Sequence, residues 1–206
     1  ERLTIVLSQL ASYPNLSIPA ACGGFAEMTA AYRLFDNDRV SFANVLEPHL
    51  DATRGRIASQ PIVLFVQDTT EIDLTHPQME VQGAGPLDGD SRRGALLHLM
   101  HAFTPDGTPL GTIDAHPWVR DDDAPRLASQ TRAQRAQTPI EEKESYRWVL
   151  ALRRAQEEAS RLENTRVVCV ADSEADIYEL LAESADEPPS VDWIVRAAQD
   201  RALQEP

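Results

Sequence analysis

The chain has 206 residues, 42% of them apolar and 25% charged, which is close to the globular average and excludes disordered, collagen-like and coiled-coil classes. That length suits one full domain plus a small appendage, and apolar runs such as Ile62 to Val66 and Val167 to Ala171 fall far short of the roughly 20 residues needed to cross a bilayer. The formal charge of −14 weighs against long-range attraction to nucleic acid, and it is uneven: residues 1–60 hold five Arg and six acids, residues 61–206 fourteen basic residues and 27 acids.

Two cysteines, Cys22 and Cys169, leave neither a disulfide framework nor a Cys-based zinc site, and they fit a reducing, cytoplasmic compartment. The chain opens on Glu1 with no signal-like series, which reads as a cut end.

Residues 1 to about 58 read as a small all-helical unit. Leu3, Val6, Leu7 and Leu10 recur at helical spacing, a Pro14 to Pro19 break follows, and Phe25, Met28, Ala31, Tyr32 and Phe35 continue the pattern until Asp36-Asn37-Asp38. Ser41 precedes a third amphipathic stretch through Phe42, Val45, Leu46 and Leu50. This unit is either a helical appendage or a DNA-contacting unit using Arg33, Arg39, Arg54 and Arg56.

From Pro61 the period changes. Ile62 to Val66 has the composition of a strand buried on both faces and ends at Gln67-Asp68-Thr69-Thr70. A Gly-rich stretch leads to strands over Ala95 to Phe103 and Pro109 to Ala115, joined by the Thr104-Pro105-Asp106-Gly107 turn. Asp121-Asp122-Asp123 reads as a solvated loop, and Ile140 to Leu162 as one long helix carrying Trp148, Val149 and Leu152. Arg166 to Ala171 is a fourth strand, Ser173 to Asp176 has capping-box spacing before a helix through Ile177, Leu180 and Leu181, and Val191 to Ala197 is a fifth strand. Histidines 98 and 101 lie three apart on one strand, out of phase for a joint metal site.

Asp68 and Asp172 each stand directly after a buried strand. Ligands of open α/β sheets gather at the carboxyl ends of strands, so carboxylates there are placed to share a hard cation. The bland alternative makes Asp68 a turn residue bonded to Thr70 and Asp172 a helix cap.

Four strings occur in one order: Gln67-Asp68-Thr69-Thr70-Glu71; Arg93-Gly94-Ala95-Leu96-Leu97-His98; Glu142-Lys143-Glu144-Ser145 followed by Trp148; and Ala171-Asp172-Ser173-Glu174-Ala175-Asp176-Ile177. They resemble the DDE transposases of bacterial cut-and-paste elements, typified by transposon Tn-five and the IS-four insertion sequences. Leu10-Ala11-Ser12-Tyr13 and Ala30 to Phe35 resemble that family's N-terminal DNA-binding region.

The resemblance implies an α/β fold: an RNase H-like mixed five-stranded sheet with helices over residues 61–206, preceded by an all-helical, DNA-binding domain over 1–58. It implies that Asp68 and Asp172 are the first two acids of a metal-binding triad for Mg²⁺ or Mn²⁺, with Asp68 bridging both ions, and it adds Lys143 as a DNA contact. Two cations about 3.5–4 Å apart would stabilise the attacking and leaving oxygens of phosphodiester cleavage and strand transfer. Partners implied are double-stranded transposon ends and a second copy of the chain, with no membrane.

The family's third acid lies in a Tyr-x-x-Arg-x-x-x-Glu pattern that this sequence lacks, so the expectation is a truncated transposase, inactive alone. Other departures are Ala95 and Leu96 where aromatics are usual and Ser173 where Arg is frequent. Alternatives are a non-catalytic transposase-derived module that binds DNA or protein, and an unrelated magnesium phosphohydrolase.

Overall fold

A computed structural model describes residues 2–76, 81–89, 91–122, 131, 137–183 and 191–201. The chain divides into two compact units, Glu1–Asp51 and Ala52–Pro206.

The first unit contains α1 (Arg2–Ser12), α2 (Ile18–Ala21), α3 (Phe25–Phe35) and the start of α4 (Phe42–Ile57). Its small core is Val6, Cys22 and Ala31, with Leu10, Ile18, Met28 and Leu34 packed around them. These are the helical-period positions of the sequence, so local pattern and packing agree.

The unit boundary falls inside α4 rather than near residue 58. The last turns of α4 belong to the second unit because Ile57 is buried in that unit's core and Arg54 is held by Glu158, which is 3% exposed.

The second unit is a mixed sheet of β1 (Ile62–Asp73), β2 (Gly85–Pro86), β3 (Arg93–Phe103), β4 (Pro109–Trp118), β5 (Arg166–Ala171) and β6 (Asp192–Val195). The order is β2-β3-β1-β5-β6, with β4 also paired to β3. Strands β1, β3 and β4 pair antiparallel, while β1, β5 and β6 run parallel. Five long or medium strands thus form the mixed sheet anticipated, and the two-residue β2 is an addition the sequence pattern did not signal. Gly107, at φ +89, makes the β3–β4 turn, where its N–H donates to the Thr104 carbonyl.

Helix α5 (Tyr146–Ala159) follows a 3₁₀ turn over Ile140–Glu142, so the long helix expected from Ile140 to Leu162 is shorter at both ends. Its Trp148, Val149, Leu152 and Ala155 cover the sheet face formed by Val63, Phe65, Met100, Ala102, Val167 and Cys169. Cys169 is deeply buried, and desolvation pushes its thiol pKa up to about 12. After β5 comes a 3₁₀ turn, Ser173–Ala175, and then α6 (Tyr178–Glu183). Asp172, rather than Ser173, is the capping residue there. No helix of the described residues is long and apolar enough to span a membrane.

Candidate functional site

Strand β1 does not stop at Gln67. Its antiparallel pairing with β3 continues from Leu64–Phe103 to Asp73–Gly94 and places Asp68 opposite Leu99. Its parallel pairing with β5 ends earlier, at Val66 opposite Val170. Asp68 therefore lies where β1 separates from β5 but stays pinned to β3.

Counting two residues past the last rung reaches Asp68 on one strand and Asp172 on the other. Strand side chains alternate, so both acids leave the sheet on the face opposite Phe65 and Cys169, away from α5. The rung itself sets neighbouring strands about 5 Å apart. The register thus places two carboxylates, 104 positions apart in the chain, at equivalent steps past one shared rung.

Each carboxylate is oriented by backbone. Asp68 Oδ1 accepts from the Thr69 N–H at 2.8 Å, not from Thr70, and Asp172 Oδ1 accepts from the Glu174 N–H at 2.8 Å. The Asp172 bond is the capping interaction that sequence reasoning had weighed against a metal role; capping engages one of its two oxygens. Arg196 lies 3.6 Å from Asp172 Oδ2 and donates to Ser173 Oγ at 3.1 Å.

The donor set suits a hard divalent cation, which takes carboxylate oxygens in preference to sulfur or imidazole. Among the described residues no group of three metal-ligating side chains forms.

Beneath the pair, on the α5 side, lies a network that the sequence did not reveal. Arg147, 14% exposed, donates from Nε to Thr69 Oγ1 at 2.8 Å, from one terminal nitrogen to the Glu144 carbonyl at 2.8 Å, and from the other to Glu174 Oε2 at 2.6 Å. Its guanidinium carbon sits 5.7 Å from the Trp118 ring centre and 5.5 Å from that of Trp148, within cation–π range. Thr69 Oγ1 also lies 2.8 Å from Nδ1 of His98. Burial, reinforced by the Arg147 charge and by His116, lowers the His98 pKa to about 4, so its ring is neutral at pH 7. His98 is thus a packed partner of Thr69, while His101 pairs with Thr112.

The remaining predicted residues are dispersed. Arg33 and Arg39 are exposed in the first unit; Arg33 lines an open groove of about 630 Å³ with Arg2, Phe25, Thr29 and Asn37. No acid is among the groove's lining residues.

Arg54 and Arg56 belong to the second unit and are engaged there. Arg54 forms a two-point contact with Glu158 at 3.0 and 3.1 Å, and Arg56 donates to the Leu110 carbonyl at 2.5 Å and to Thr53 Oγ1 at 3.0 Å. Lys143, the residue after the 3₁₀ turn, places Nζ 4.0 Å from Glu179 Oε1.

Arg120 grips Glu144 through two bonds, and Asp122 pairs with Arg93. Asp123 lies outside the described residues. Asp176 is buried and held by Arg201 and by the Ala198 and Gln199 N–H groups, which keep its carboxyl below the usual range. It serves the fold and not the pair.

A family model described as transposase DNA-binding matches residues 1–40, about a fifth of the chain. The match supports a transposase origin for that part. The structure also aligns over 98% of its length with a chain of the piggyBac transposase synaptic complex with hairpin DNA, at 10% identity and a TM-score of 0.41. The chain spans 42% of that chain's length.

Proposed function

We propose that the chain is part of a DNA transposase of the cut-and-paste kind, in which the helical unit holds duplex DNA and Asp68 with Asp172 forms part of a divalent-metal site for phosphodiester chemistry. The observation that carries this reading is the shared register of the two acids past the Val66–Val170 rung, on one face of the sheet. The transposase match over residues 1–40 supports the DNA-holding half. The order of the four motifs supports assignment to the Tn-five-like and IS-four group.

In this reading the chain's own residues have separate tasks. Asp68 and Asp172 each keep Oδ1 on a backbone N–H, which restrains the carboxylate and engages one of its two oxygens. Asp68 Oδ2 has no partner among the described residues, whereas Asp172 Oδ2 faces Arg196. Arg2 and Arg33, facing one groove with no acid among its described lining residues, supply local positive charge that the net charge of the chain conceals. Phosphate contacts of that kind fix a protein's position on DNA without reading its sequence. Magnesium or manganese held by the two acids would neutralise charge developing on a scissile phosphate and activate a water near neutral pH.

With two acids of an expected three, strand cleavage by these 206 residues alone is predicted to be absent. Two assays separate the readings. Manganese affinity should fall in Asp68→Asn, and binding to a fluorescent 30-base-pair duplex should fall in Arg33→Ala, neither change affecting the other assay. Asp68-dependent hydrolysis of a small phosphomonoester, without duplex binding, would overturn the proposal in favour of a phosphohydrolase.

A further inference from the structure

Each of the two acids is oriented by the backbone N–H of a nearby residue, Thr69 for Asp68 and Glu174 for Asp172. The side chains of those same two residues are held by one guanidinium, that of Arg147. Two strands that separate after their last shared rung are thereby rejoined, one residue past Asp68 and two past Asp172, through a single planar group.

We infer that Arg147 is a positioning residue that sets the spacing and orientation of the Asp68 and Asp172 carboxylates, and so their affinity for a divalent cation. The inference rests on the reading of the pair as a metal site.

The geometry favours a clamp over a general structural arginine for three reasons. First, the fork is fully used: Nε reaches Thr69, and the two terminal nitrogens reach the Glu144 carbonyl and Glu174. A planar five-donor group can hold three acceptors in fixed directions, and an ammonium on a flexible stem cannot. Second, the guanidinium carbon lies 5.7 Å from the Trp118 ring centre and 5.5 Å from that of Trp148, and the side chain is only 14% exposed, so cation–π contact and burial both restrict it. Third, Thr69 is itself fixed from the other side by His98, so a movement of Arg147 passes to the β1 backbone and is not absorbed by a free side chain.

Metal ligands are commonly held by such outer groups, and their loss typically costs about 10- to 100-fold in metal affinity. Two carboxylates also repel as they approach, and the Arg147 charge opposes that repulsion without occupying the face where they meet.

The test is manganese binding by the 206-residue protein, read from the electron paramagnetic resonance signal of the free ion, with thermal melts in EDTA as the check on folding. Arg147→Lys keeps the charge but loses the fork, and Thr69→Val removes the hydroxyl; each should weaken binding about tenfold, while Thr69→Ser should stay within about twofold of the parent. Glu174→Gln changes an exposed carboxylate, so it folds even if Arg147→Lys does not, and it should weaken binding about threefold.

If Asp68→Asn weakens binding at least about tenfold while Arg147→Lys, or Glu174→Gln where Arg147→Lys is unfolded, stays within about twofold of the parent, the clamp is overturned and the metal site stands. If Asp68→Asn leaves binding unchanged, the metal-site reading itself falls and the clamp falls with it.

Discussion

Asp68 and Asp172 both lie two residues beyond the last rung of the β1–β5 ladder, where Val66 faces Val170. Parallel pairing stops there while β1 stays paired to β3, so the sheet opens on one side only. A strand that ended at Gln67 would let Asp68 swing on a turn. One held by Leu99 across the β3 ladder gives the carboxylate a fixed base.

Glu158 is the electrostatic anchor of the second unit. It is 3% exposed and meets Arg54, Arg154 and Arg161. Removing the acid leaves three guanidinium groups facing one another with no counter-charge, so Glu158→Ala should lower stability by about 3 kcal/mol in urea unfolding. A loss under about 1 kcal/mol would show that solvent screens the cluster.

His98 gives stability a pH dependence of definite sign. The unfolded chain takes up the proton near pH 6.5, the folded chain only near pH 4, so falling pH favours unfolding within that window. Stability should rise by roughly 3 kcal/mol from pH 4 to pH 6.5 from this residue and stay level above it. Urea melts of the parent and of His98→Asn should differ in slope across the window, and NMR should find the His98 ring neutral at pH 5.5. A His98 resonance that titrates near pH 6.5 would contradict this.

Gly94 marks a close approach of chains. A Cβ there would fall 2.0 Å from the Ile72 carbonyl oxygen and 2.8 Å from Leu87 Cδ1, both in the crowded β1–β2–β3 corner. Gly94→Ala must separate the strands and should cost about 3 kcal/mol in thermal or urea unfolding. Gly55→Ala, which would meet nothing within 4 Å, is the control and should be neutral or slightly stabilising.

The first unit should bind duplex through phosphate contacts at Arg33 and Arg39. Each Arg→Ala change should weaken binding and lower the slope of log affinity against log salt by about one. Arg54→Ala should instead reduce stability and leave that slope unchanged, because its guanidinium is committed to Glu158. Unchanged slopes in Arg33→Ala and Arg39→Ala would remove the proposed contacts.

Much of the fold is legible in the sequence because Ile62 to Val66 and Val167 to Ala171 are apolar on both faces and each runs into an acid. The continuation of β1 to Asp73 is not, since Thr69 to Asp73 is polar apart from Ile72 and gains its strand geometry from β3 partners more than twenty residues away. Arg54 and Arg56 look like free cations in sequence; only the fold brings Glu158 and the Leu110 carbonyl to them. Arg147 is hidden for the same reason. An arginine in an amphipathic helix reads as solvent-facing, and what encloses it is Trp118, 29 positions upstream.

The most direct measurement is the anomalous scattering of crystals grown with manganese. One manganese peak within bonding distance of oxygens from both Asp68 and Asp172 is the predicted result. Manganese absent at saturating concentration, or bound by Asp172 alone with the Asp68 carboxylate turned away, would contradict a shared site.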